Sequence, residues 1–189
     1  MKKIIDNSFL EHIKLANICK KKIANKIEDV AELIFLALKE NNTLFWCGNG
    51  GSSSDSMHFS AEFIGRYKKN RKPLKSLSLA SDQGAITCIA NDFGYENIFS
   101  RQIQGIGRPG DILICLTTSG NSRNIINAVK AGNKKKLKTI LISGNNGGKC
   151  SGLSSYEILI PSKITSRIQE MQKLIGHLII ELVEKKFKF

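Results

Sequence analysis

The stretch TLFWCGNGGSSSDSMHFSAEF, Thr43 to Phe63, decides how the fold is read. TLFWC (43–47) is a short apolar run of strand type. GNGGSSS follows at once, a turn rich in backbone donors and hydroxyls. DSMHFSAEFIGRY then reads as a helix, with His58 and Glu62 at i and i+4 on one face and Arg66 continuing it. A strand that runs through a small polar loop into a helix is the opening half of a parallel β–α–β unit.

The same grammar recurs further on. DILICLTT (111–118) is a strongly apolar strand, SGNS follows it, and NIINAVKAGNKKK reads as a helix. LKSLSLA (74–80), KTILISG (138–144) and YEILIP (156–161) read as further strands. DQGAITCIANDF and ENIFSRQIQGIG read as two short helices, and a last helix runs from about Ser166 to Lys186. Upstream, residues from about 6 to 40 carry Ile13, Ala16, Ile23, Ile27, Val30, Ile34 and Leu38 on one stripe. This is one long helix or two consecutive ones, ended by Asn41-Asn42. Apolar strands alternating with helices predict a three-layer α/β/α sandwich with a five-stranded parallel sheet. One domain over 1–189 is expected, with 1–42 as a helical segment for oligomer packing and 43–189 as the α/β core.

Composition narrows the class. A chain of 189 residues buries roughly 70% of its unfolded surface and needs no staples. No apolar run is long enough for a transmembrane helix, and the N-terminus lacks the apolar core of a signal peptide, so no membrane role is expected. The five cysteines are dispersed, with no CxxC pair, which reads as reduced thiols in the cytoplasm. The net charge of +13 permits an anionic partner. Its lysines are spread along the chain, and no basic stretch is interleaved with aromatics, so nucleic acid is not the expected partner.

Open parallel sheets bind ligands beyond the carboxyl ends of their strands. GNGGSSS and TTSGNS both occupy that position, and each leads into a helix whose free N–H groups favour an anion. Neither is a Walker A loop, and GNGGSS has serine where a dinucleotide fingerprint needs its third glycine. An ordinary turn with a serine N-cap explains one such loop, whereas two in equivalent positions point to a ligand. Ser119 and Ser122 could cap the helix and hold phosphate oxygens together. In the last helix, RIQEMQKLIGHLIIELVE places Gln169 and His177 within roughly 80° of each other, with Lys173 midway. His58, Glu62, Gln169 and His177 together make an N/O donor set able to hold a divalent metal such as zinc. The same carboxylate and imidazole equally suit a general base and a general acid.

GNGGSSSDSMHFSAEFIGRY, ANDFGYENIFSRQ, GRPGDILICLTTSGNSRNIINA and RIQEMQKLIGHLIIELVE, in that order, resemble the phosphoheptose isomerases of the SIS (sugar isomerase) fold. The resemblance implies conversion of sedoheptulose 7-phosphate to D-glycero-D-manno-heptose 7-phosphate, toward the heptose of bacterial surface polysaccharides. It also implies a cytoplasmic homotetramer with sites at subunit interfaces and one zinc per site. On that resemblance Asn49, Gly50, Gly51, Ser52, Asn91 and Asp92 contact the sugar phosphate. Thr117, Thr118, Ser119 and Ser122 hold the phosphate. His58, Glu62, Gln169 and His177 are the metal ligands. Glu62 and His177 carry proton transfer, and Glu62 and Gln169 also touch substrate. Two positions depart from the pattern, Gln172 where many relatives have histidine and Ser166 where they have an acidic residue.

The alternative is a non-catalytic SIS module that binds a replication-initiator protein or senses sugar phosphates. A relative of the first kind lacks the glutamate and the final histidine, both present here as Glu62 and His177.

Overall fold

Strands β1 (Leu44–Gly48) and β3 (Ile112–Leu116) are buried at every position, as expected for strands covered on both faces. They pair in parallel at the middle of a five-stranded sheet whose order is β2-β1-β3-β4-β5, with β2 at Ser76–Ser78, β4 at Lys138–Gly144 and β5 at Tyr156–Ile160. The structure, a computed structural model, describes residues 1–188. The three-layer α/β/α sandwich read from the sequence is the architecture observed.

Side-chain alternation sorts the core into two halves. Leu44, Trp46, Ile112, Ile114 and Leu116 face one side, against α1 (Lys2–Lys39), α2 (Gly51–Ile64) and α6 (Thr165–Phe187). Phe45, Cys47, Leu113 and Cys115 face the other, against α3 (Gln83–Phe93), α4 (Ser100–Ile106) and α5 (Arg123–Lys134). The chain runs outward from β1 to β2 in one direction and from β3 to β5 in the other. Strand order therefore reverses between β1 and β3, and the crevice at their carboxyl ends is the switch point where such sheets take ligands. Both small polar loops open onto that crevice.

Several boundaries differ from the sequence reading. Helix α2 begins at Gly51 rather than Asp55, so most of the glycine-serine run is helical. Gly50, at φ 53, makes the turn in one residue. Gly48 lets the helix fold back tightly, because a Cβ there would lie 2.5 Å from the Ser52 carbonyl oxygen. Ser52, Ser56 and Ser60 point into the molecule, whereas Ser54 is exposed. Ser56 and Ser78 share a hydrogen bond of 2.8 Å, Ser76 donates to Ser60, and Trp46 Nε1 donates to Ser76. This zipper ties α2 to the edge strand, whose ladder covers only Ser76–Ser78 of the expected 74–80.

The N-terminal segment is one helix of 38 residues, and it ends where Asn41 takes a left-handed φ of 67. Ile23, Ile27, Val30, Ile34 and Leu38 of the stripe are buried as expected. Ile13 is not, at 54% exposed, because α1 runs past the end of the core; Ile4, Ile5, Phe9 and Leu10 are exposed with it.

Helices α2 and α6 touch through Gly176. A Cβ there would fall 2.2 Å from the ring of Phe59, which is fully buried and cannot swing away. Gly176→Ala is therefore expected to lower stability by about 1–3 kcal/mol through overpacking, outweighing a helix-propensity gain of about 1 kcal/mol. Chemical denaturation should show the loss, and adding Phe59→Leu should recover part of it. A single variant at least as stable as the parent would refute this account of the contact.

Candidate active site

The Gly176 contact seats the next residue, His177, against the face of α2 that carries His58 and Glu62. His58 Nε2 lies 3.1 Å from His177 Nε2 and 3.4 Å from Glu62 Oε1. One ligand atom from each of His58, Glu62 and His177 fits within 4.8 Å of the others. The cluster joins residues 119 positions apart, which spacing alone could not predict. The edge of Phe59 and the face of Tyr67 enclose His177; Tyr67 stacks on it at 5.5 Å with planes 17° apart.

Burial, then the adjacent His58, lower the His177 pKa from its ordinary 6.5. Glu62 and Asp55 pull it back up, while Lys173 adds to the depression. Lys173 is itself tied to Asp55 at 2.8 Å. The outcome is an imidazole held largely neutral near pH 7.

The other half of the site lies at the switch point. Asn49, Ser52, Thr117, Thr118, Ser119, Ser122 and Gln169 line one cleft of about 80 Å³ with Leu116. Gly51 sits at its edge, where a Cβ would lie 2.8 Å from Gln169 Nε2. Gln169 is thus beside the first loop, and about 12 Å of helix rise separates it from His177. Ser122 takes the N-cap position of α5 without a side-chain hydrogen bond to the helix, so its hydroxyl is not engaged in capping. Ser119 Oγ accepts from the Asn121 N–H at 3.2 Å and caps nothing on α5. The expected double duty of these serines as caps is not found. Asn91 and Asp92 lie on the exposed half of α3, bonded to each other at 2.8 Å, and do not line the cleft.

Three residues that the sequence reading gave no role stand behind these groups. Asn124 is buried and exchanges two hydrogen bonds with Asn49, at 2.9 and 2.7 Å, locking the loop after β1 to the start of α5. Its signal was present in GNSRN, two residues beyond Ser122. Tyr95 Oη also donates to Asn49. Gln172, fully buried, donates to the carbonyls of Thr117 and Ile142, fixing the base of the second loop. Cys115 and Cys150 are unsuited as nucleophiles: the Cys47 thiol and burial raise Cys115, and burial pushes Cys150 up to about 11.

The sequence matches the SIS domain family over residues 10–144. It is 45% identical to the phosphoheptose isomerase of Akkermansia muciniphila over 87% of each chain. It is 39% identical to that of Helicobacter pylori over 97% of this chain and 96% of the other, which brings α6 within the likeness. Among solved structures, the phosphoheptose isomerase of Neisseria gonorrhoeae superposes with a TM-score of 0.91 at 32% identity, covering 97% of this chain and 98% of that one. The fold is that of a SIS domain, and the chain belongs to the phosphoheptose isomerase family within it.

Because folding favours neutral His177, its contribution to stability is present above pH 6.5 and is lost as pH falls through the lower folded value. Histidine NMR on metal-free protein should place its midpoint below 6.5. Glu62→Gln should lower that midpoint further, and Lys173→Met should raise it. Shifts of opposite sign would overturn this account of the field around the ring.

Proposed function

We propose that this chain converts sedoheptulose 7-phosphate to D-glycero-D-manno-heptose 7-phosphate by proton transfer through an enediol. The observation that carries the reading is the meeting of Glu62 and His177 on α2 and α6, the two helices whose Ser52 and Gln169 line the hydroxyl-rich cleft, in a chain akin to named isomerases. Those relatives carry the name of an isomerase, which favours the enzyme over the non-catalytic alternative.

The division of labour follows from the residue types. Thr117, Thr118, Ser119 and Ser122 offer hydroxyls to the phosphate. Asn49, Gly50, Gly51, Ser52 and Gln169 meet the sugar along the cleft; Asn91 and Asp92 lie off it and are assigned to the sugar by the family pattern alone. Glu62 takes a proton from C1 and returns it at C2. His177 works at the neighbouring oxygens, where a neutral imidazole polarises a carbonyl through its N–H. Tyr67 and Phe59 shield the ring from water. His58, Glu62 and His177 suit a divalent ion in donor type and closeness, and with Gln169 as the fourth donor they would hold zinc. When bound, the ion supplies Lewis acidity at the carbonyl oxygen.

Assembly and location complete the reading. The apolar residues Ile4, Ile5, Phe9, Leu10 and Ile13 stand exposed on α1, and an apolar groove of about 430 Å³ runs between α1 and α6. Both support a homotetramer built through the 1–42 segment on a 43–189 core, the whole forming one SIS domain. Five free cysteines favour the cytoplasm. No helix among the described residues is long and apolar enough to cross a membrane.

Purified protein should turn sedoheptulose 7-phosphate into the aldose. Glu62→Gln and His177→Gln should each reduce turnover at least ~10²-fold while leaving a folded oligomer. Wild-type rates in either folded variant would remove the acid–base assignment. Metal analysis should find one zinc per chain, with chelation slowing turnover; a chelated, metal-free sample at full rate would remove the ion from the chemistry.

A further inference from the structure

The segment between α2 and β2 has almost no regular structure, yet it carries Tyr67, the ring stacked on His177. Its anchorage is an ion pair in the interior. Arg71 Nε meets Glu184 Oε1 at 2.8 Å, with the two side chains 0% and 4% exposed. Glu184 also accepts the backbone N–H groups of Tyr67, Lys68 and Lys69 at 3.2, 3.0 and 3.2 Å. One carboxylate thus gathers the turn that presents Tyr67. Glu184 stands about two helical turns beyond His177 on α6 and shares its side of the helix.

The guanidinium reaches the other way. Arg71 Nη2 donates to the Glu62 carbonyl at 2.7 Å, and Nη1 donates to the Phe63 carbonyl at 2.8 Å. Those carbonyls end α2 and lack helical partners, so a cation there satisfies them and suits the helix dipole. Both helices of the His58, Glu62 and His177 cluster are therefore tied to one buried pair. Burial opposes the charge on Glu184, but the bonds from Arg71 and from the Lys68 and Tyr67 amides hold its carboxyl below the usual range. A buried ion pair is poor evidence of stabilisation, since apolar residues in its place often do as well. Its geometry here gives it a different use.

We infer that Arg71 and Glu184 are positioning residues of the active site, setting Glu62 through its backbone carbonyl and His177 through the ring of Tyr67. Neither touches the reacting atoms. The kinetic part of this inference rests on the isomerase reading; the geometric part does not.

The test compares Arg71→Lys, Glu184→Gln, Tyr67→Leu and Tyr67→Phe by steady-state kinetics on sedoheptulose 7-phosphate, by thermal melting, and by the imidazole NMR signals of metal-free protein. The His177 signal is assigned by its loss in His177→Gln. Arg71→Lys and Glu184→Gln should lower kcat on the order of ten- to a hundredfold, with KM within about twofold because the phosphate loops are anchored elsewhere. Each should also move the His177 signal. Tyr67→Leu should reproduce both effects, and Tyr67→Phe, which keeps the ring, should restore them. An unmoved His177 signal in folded Arg71→Lys or Glu184→Gln protein overturns the inference. So does a lowered melting temperature with wild-type kcat, which makes the pair a structural staple. If the buried variants do not fold, Tyr67→Leu decides alone: an unmoved signal and unchanged kcat overturn it. A wild-type protein without turnover would sink the isomerase reading, while the NMR comparison would still decide the positioning.

Discussion

Everything chemical in this molecule depends on how closely α2 and α6 approach at Gly176. The ring of Phe59 fills the space where a side chain would otherwise stand. Because the ring is wholly buried, the approach is set by van der Waals contact rather than by adjustable polar groups. His177 follows Gly176 directly, and His58 precedes Phe59 directly. Two adjacent pairs of residues, one on each helix, thus convert a packing contact into a cluster of imidazole and carboxylate.

The second constraint is topological. Reversal of strand order between β1 and β3 leaves a crevice at the strands' carboxyl ends. The reciprocal amide pair of Asn49 and Asn124 closes the two loops onto each other. Gln172 reaches the base of the second loop from α6. Helix α6 therefore serves both ends of the site, through Gln172 at the loops and His177 at the cluster.

Much of this was legible in the chain. The strands at 44–48, 112–116 and 138–144 announced themselves as apolar runs, because burial on both faces leaves no room for polar alternation, while β5 at 156–160 showed in its Ile158 and Ile160 on one face. The edge strand was overdrawn, since a hydroxyl zipper to α2 looks in sequence like an ordinary alternating strand. The start of α2 was misplaced because Gly and Ser read as loop, whereas one glycine at positive φ makes the whole turn. His58 with Glu62 was visible as a helical pair, but their meeting with His177 required the Gly176–Phe59 complementarity, which no periodicity encodes. Tyr67, Arg71 and Glu184 were invisible for a related reason. Their roles come from an irregular segment packed on a distant helix.

Helix α6 also ties the reacting groups to the integrity of the core. A chain ending before Thr165 would keep both polar loops and all five strands yet lack His177, Gln169 and Gln172. It would leave bare the apolar surface that α6 covers on α1 and the sheet, including Ile27, Ile114 and Ile140. A chain cut there would lack the cluster's His177 and expose apolar surface open to aggregation. Loss of α6 would therefore remove the His177 imidazole of the cluster and the cover of the core together.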